Sequence, residues 1–279
     1  MIPFAVELEP AYVLESRPYK ESSLIVKLLT LHFGIVSLLA KGAKSPKNTT
    51  RSLLQAFCPI EASWRGRNDL KNLTSVESSP HRSGQFQARL KGDYLYAGFY
   101  ANELLVRLVP PGEPYTALFA FYNELIGRFY ENQALAPCLR EFEWHLISEL
   151  GYGLNLYTDM VSGKLIESGK YYVLSGVDGF VQSNVAPANS GFLKGELLKG
   201  ELPKGELPKG ELAKGELFKG ELFKGEELLA IREGEYASQA GITAKRLFRY
   251  VIEHYLGGRP LKSREIYIKM REIKNGKSD

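Results

Sequence analysis

The spacing of apolar residues changes once along this chain, and that change limits the architectures open to it. Through the first eighty residues apolar positions alternate or gather in short runs broken by turn formers, and from residue 93 they recur every three to four residues. A period near two puts successive side chains on opposite faces of a strand, whereas a period near 3.6 lays one apolar stripe along a helix. Residues 11–17, 23–31, 34–40, 57–64 and 70–76 read as five strands, with Pro18 ending the first and Gly42 following the third. Arg65-Gly66-Arg67-Asn68-Asp69 suits a hairpin turn between the last two. Five short strands in so few residues predict a small closed β-barrel, either an OB-fold or an SH3-like barrel.

Beyond residue 93 the pattern predicts helices. Tyr94, Ala97, Ala101, Leu104, Leu105 and Leu108 share one face, with Asp93 as N-cap and Pro110-Pro111 as the stop. A second helix follows Pro114 and buries Leu118, Phe121, Tyr122, Leu125 and Phe129. A third starts near Pro137, presents Leu139, Phe142, Leu146 and Leu150, and ends at Gly151. Residues 170–174 and 179–182 read as a short hairpin. Helices return over 242–256 and 263–273, the latter capped by Ser263. The expected class is α+β: a five-stranded barrel domain over 1–80 and a mostly α-helical domain over 81–279.

Residues 193–225 fit neither period. Lys-Gly-Glu recurs seven times there at a spacing of five, from Lys194 to Lys224. Five residues advance a helix by about 500°, so no continuous apolar face forms, and each interior Gly costs up to about 1 kcal/mol relative to Ala. In a strand an odd period sends successive copies of a residue to opposite faces. Pro203 and Pro208 interrupt either structure. The segment is read as a charge-balanced linker, disordered or loosely helical.

The net charge of +4 hides an uneven distribution. Residues 41–82 hold eight Lys and Arg against three Asp and Glu, and residues 245–279 hold ten against four, while the middle of the chain is acidic. Two basic segments of this kind suit a polyanion. Cys58 and Cys138 lack Cys-x-x-Cys spacing, so neither a disulfide framework nor a four-thiolate zinc site can form within the chain. No basic leader or membrane-length apolar run is present, which predicts a cytoplasmic protein. His32, His81, His145 and His254 belong to no catalytic motif, and there is no phosphate loop or Gly-x-Ser-x-Gly elbow. A binding protein is expected rather than an enzyme, with a scaffold that contacts only other proteins as the rival reading.

Several blocks together resemble the RecO family. They are Tyr12-Val13-Leu14, Arg17-Pro18-Tyr19, Ala40-Lys41-Gly42-Ala43-Lys44, Leu54-Gln55-Ala56-Phe57, Tyr100-Ala101-Asn102-Glu103-Leu104-Leu105, Leu150-Gly151-Tyr152-Gly153 and Tyr255-Leu256-Gly257-Gly258-Arg259-Pro260-Leu261-Lys262-Ser263-Arg264. The resemblance spans the chain apart from the repeat. It implies an OB-fold that binds single- and double-stranded DNA and anneals complementary strands. It also implies work with RecR to load RecA onto DNA covered by single-strand binding protein, whose C-terminal tail the helical domain accepts, and a place in the cytoplasm at the nucleoid. Many members carry two Cys-x-x-Cys pairs after the Gly-Tyr block; here that region reads Tyr157-Thr158-Asp159-Met160-Val161-Ser162-Gly163. The chain therefore resembles the zinc-free branch, with no metal or other cofactor expected.

The residues supply a route to nucleic acid. Lys41, Lys44, Lys47 and Arg51 crowd one loop, and Arg65, Arg67 and Lys71 the next hairpin. Cations along a barrel edge neutralise successive phosphates and release counterions, giving affinity without sequence choice. Trp64, Tyr19 and Phe33 can offer stacking faces or fill the barrel. Arg246, Arg249, Arg259, Lys262 and Arg264 form a second candidate surface, in which a phosphate sits at the N-terminus of the last helix. Phe119, Phe121 and Phe142, with Arg128 or Arg140 as rim, are candidates for the tail-binding pocket.

Overall fold

The computed structural model describes residues 4–45, 50–79, 89–177, 179–183 and 222–275. The alternating segment forms β1 (Ala5–Tyr19), β2 (Ser23–Thr30), β3 (Gly34–Ala40), β4 (Pro59–Arg65) and β5 (Leu70–Ser78). These close into a barrel of order β1-β2-β3-β5-β4. All neighbours run antiparallel except β3 and β5, which are parallel, with Ser37 opposite Leu70. A parallel neighbour cannot be reached by a tight hairpin. The chain instead crosses over through the segment that holds the short helix α1 (Thr50–Leu53) before β4 begins. The result is an OB-like barrel, filled by Val13, Val26, Leu28, Val36, Leu38, Ile60 and Trp64.

β1 is longer than the sequence suggested, because neither Pro10 nor Pro18 ends it. It pairs with β4 through its first half and with β2 through its second. Its register shifts between Val6 and Glu9 on one side and between Val13 and Glu15 on the other. Such bulges bend a strand sharply enough to serve two neighbours.

The helical period produces α2 (Gly92–Leu108), α3 (Thr116–Tyr130) and α4 (Leu135–Glu149). Asp93 lies in the first turn of α2, one residue past the helix start, so it does not cap; Lys91 holds the N-cap position. A buried polar knot ties these helices to the barrel. Asn102 donates to the Leu14 carbonyl at 2.9 Å and accepts from the Tyr122 hydroxyl at 2.5 Å. The Tyr12 hydroxyl donates to Asn123 Oδ1 at 2.8 Å. Each partner satisfies a group that would otherwise be buried at a cost.

The chain divides into two compact units, Met1–Leu150 with Ile252–Asp279, and Gly151–Val251. In the first, α7 (Lys262–Asn275) packs on α2. The second holds a four-stranded sheet of order β6-β8-β7-β9, made from β6 (Asn155–Asp159), β7 (Tyr171–Ser175), β8 (Gly179–Ser183) and β9 (Leu222–Lys224), followed by α5 (Gly225–Arg232). The expected hairpin is its β7–β8 pair. β9 corrects the reading of residues 193–225 as unstructured or loosely helical, since the final copy of the repeat enters the sheet; residues 193–221 lie outside the described residues. α6 (Gln239–Tyr255) spans the division in sequence.

Candidate nucleic-acid interface

The predicted cations of the barrel fall into two groups. Lys41 follows β3 and is exposed, and Arg51 is exposed on α1. Lys44 reaches back to the β1–β2 turn, where its ammonium donates to the Lys20 carbonyl at 3.0 Å and its backbone N–H to that of Ser22 at 2.9 Å. Lys47 lies outside the described residues. Arg65 and Arg67 are exposed at the β4–β5 turn. Asn72 faces Leu39 on one side and Arg65 on the other, so in the register Arg65 stands two positions short of Lys41, with β5 between them.

Each group has an exposed aromatic beside it. Tyr19 is 36% exposed, with the Lys20 ammonium 5.5 Å from its ring centre. Phe4 is 56% exposed, with the Arg67 guanidinium 5.9 Å from its ring. Arg17, Lys20 and Phe4 escaped sequence reasoning. The pairing of Tyr19 with Ser23 and of Ala5 with Arg65 brings them to these places, and nothing local in the sequence signals that.

Three expected contributors are placed elsewhere. Lys71 is 5% exposed, with its ammonium 3.2 Å from the Asn68 carbonyl oxygen in the β4–β5 turn. It is five residues from the buried Val76, so strict alternation would set the two on opposite faces; the register shift between Leu73 and Ser75 interrupts that alternation. Trp64 is fully buried and meets the half-buried Phe33 edge-on, ring centres 5.5 Å apart, so both serve the core rather than a base.

The C-terminal set divides between the two units. Arg246 and Arg249 belong to the unit Gly151–Val251, and Arg259, Lys262 and Arg264 to the other. Arg246 is half-buried over the Phe223 ring at 6.0 Å, and Arg249 is exposed. Arg264 pairs with Glu253 at 2.9 Å. The N-terminus of α7 is closed to phosphate, because the Glu103 carboxylate accepts there from the Lys262 N–H at 2.9 Å and the Ser263 N–H at 2.8 Å. An acidic side chain already meets the free N–H groups and the positive end of the helix dipole. Arg107 extends the latch, donating to the carbonyls of Pro260 at 2.7 Å and Arg259 at 3.0 Å. Ser263 sits inside the first turn and does not cap.

Between α3 and α4 a small groove is lined by Phe121, Leu125, Cys138, Phe142 and His145. Phe121 and His145 stack face to face at 3.5 Å. Burial holds the His145 imidazole below its ordinary value against the opposing pull of Glu141, Glu124 and Glu149. Arg128 stands at the rim, bonded to Glu141 at 2.5 Å. Arg140 is no rim residue: it is 7% exposed and paired with the buried Glu143 at 2.6 Å. Phe119 packs on Tyr12 instead.

In the loop after β6, Asp159 organises the backbone. One of its oxygens accepts from the N–H groups of Val161 and Ser162, and the other from that of Gln182 on β8. Among the described residues no group of three or more His, Cys, Asp or Glu could hold a metal ion. No described helix is long and apolar enough to cross a membrane.

Two family models match the chain: one described as Recombination protein O N terminal over residues 6–80, and one as Recombination protein O C terminal over residues 89–199. Similar curated proteins include the DNA repair protein RecO of Cellvibrio japonicus, 36% identical across 94% of this chain and 97% of the relative. That of Nitrosococcus oceani is 36% identical across 97% and 96%. That of Pseudomonas aeruginosa is 34% identical across 95% and 96%.

Proposed function

The chain belongs to the RecO family, and from that premise we propose that it serves DNA repair and recombination as a binding protein that anneals complementary strands. With RecR, it helps load RecA onto DNA covered by single-strand binding protein. The observation that carries the reading is the pairing of cations with an exposed aromatic at two places on a closed OB-like barrel: Lys20 beside Tyr19, with Lys44 bonded to the Lys20 carbonyl, and Arg67 beside Phe4. Such a barrel tracks a phosphate backbone by charge and takes bases on aromatic faces, with little sequence preference. Held near a positive surface, two strands repel one another less, and base pairing supplies the free energy of annealing. That process requires no bond-making side chain.

The groove between α3 and α4 suits the tail of single-strand binding protein, with Phe121 and Phe142 as apolar floor and Arg128 as the cation for an acidic segment. Glu141 now holds Arg128, so an incoming carboxylate exchanges one charged partner for another.

A strand-annealing assay with and without single-strand binding protein, beside a salt titration of single-strand affinity, tests the proposal. Annealing together with a steep loss of affinity as salt rises supports it. Salt-insensitive retention, or none, overturns it in favour of a scaffold that touches only proteins.

A further inference from the structure

α7 is held to α2 near its start. Glu103 accepts from its first N–H groups, and the Tyr267 ring meets that of Tyr96 at 5.6 Å. From Ile268 to Ile273 every residue is exposed. Ile266, Met270 and Ile273 are large apolar residues, 53%, 44% and 54% exposed, at intervals of four and three. On a helix that spacing draws one stripe, the d-a-d seam of a coiled coil, here left open to solvent. Isoleucine holds a helix less well than Lys, Glu or Ala, so a stripe that faced only water would forfeit propensity as well as burial.

The flanks of the stripe select what covers it. Lys262 and Lys269 are both exposed and stand one heptad apart. At about 100° per residue they lie roughly 40° and 60° to one side of Ile266, the g positions of the seam, while Glu265 and Glu272 lie farther round, about 100–120° away. On the other flank Tyr267 is half-buried against α2. A second copy of the helix fits poorly. An antiparallel pair sets lysines against lysines, and a parallel pair needs the flank at Tyr267 that α2 already covers. A helix with carboxylates beside its own apolar seam satisfies both features at once.

We propose that α7 is a docking strip for an amphipathic, acidic helix of a partner protein. Ile266, Met270 and Ile273 take its apolar seam, and Lys262 and Lys269 take its carboxylates. Burial supplies the attraction, and the lysines reject basic helices. The strip lies on a different element from the barrel cations, so its use does not depend on whether the barrel binds DNA.

The test titrates the full chain with two synthetic peptides of three heptads, both with Leu at a and d, one carrying Glu and the other Lys at e and g. At low salt the acidic peptide binds at least about tenfold more tightly than the basic one, and the preference shrinks as salt rises. Ile266→Gln with Ile273→Gln abolishes binding, while the melting temperature and single-strand DNA affinity match those of the unaltered chain. Lys262→Glu with Lys269→Glu reverses the preference. No binding of the acidic peptide, equal binding of both peptides, or binding untouched by the double Gln variant overturns the proposal. So does a dimer that the double Gln variant dissolves, which would assign the strip to a second copy. A loss of DNA affinity in that variant also overturns it, by assigning the strip to nucleic acid.

Discussion

Glu103 on α2 caps α7 through Ser263, accepting from its backbone N–H at 2.8 Å and its hydroxyl at 2.7 Å with the same carboxylate oxygen, Oε2. A helix is usually capped by the residue just before it; here the cap comes from another helix and doubles as a clamp. Replacing Glu103 with Ala should cost about 1–2 kcal/mol, the loss of a cap, and release α7. Denaturant unfolding and hydrogen exchange over 262–275 measure this. Burial raises the Glu103 pKa, but the Ser263 backbone and hydroxyl, the Lys262 N–H and Arg107 together hold it below the ordinary carboxylate value. A pKa lowered by folding gives stability that is complete above the unfolded value, and protection of α7 should fade as pH falls through the folded one.

Arg140 and Glu143 form a buried pair, with the Tyr100 hydroxyl donating to Glu143 Oε1 at 2.7 Å. Arg140→Met should destabilise the protein by about 3–5 kcal/mol, because it leaves a buried carboxylate without its cation. Adding Glu143→Gln to that variant should recover part of the loss. Equal stability for Arg140→Met and the unaltered chain in a urea titration would contradict this.

Asp159 ties its own loop to β8 through three backbone hydrogen bonds. Asp159→Ala leaves three backbone N–H groups to find other partners, at about 1–3 kcal/mol for each that stays buried. Burial pushes the Asp159 pKa up, but the hydrogen bonds from Ser162, Gln182 and Val161 hold it below its ordinary value. Its contribution is therefore complete above the unfolded Asp value of about 4 and lost as pH falls through the lower folded value. Melting curves of the two proteins between neutral and acid pH should converge at the acid end.

Charge reversal at either cation group should lower affinity for single-stranded DNA. Lys41→Glu with Lys44→Glu and Arg51→Glu should weaken binding and flatten its salt dependence, and Arg65→Glu with Arg67→Glu should do the same. Unchanged affinity and salt slope for either set would remove those cations from the interface. Lys71→Met should leave affinity unchanged, because that side chain is buried and its ammonium is bonded to the Asn68 carbonyl.

What the sequence determined by itself was whatever depends on neighbours along the chain. The strands of the barrel and the faces of α2 to α4 follow from apolar spacing, and the family from ordered blocks such as Tyr255 to Arg264. Only the tertiary structure decided the partners of distant side chains. Lys71 and Arg67 look alike in sequence, yet folding buries one and leaves the other exposed. Glu103 reads as an ordinary helix carboxylate until α7, some 160 residues on, presents its free N–H groups to it. The last repeat copy becomes a strand because Glu167, Tyr172 and Phe180 shape a slot for it. Periodicity is a local property of a chain, whereas a charge, a cap or a strand slot takes its meaning from what packing brings within a few ångströms.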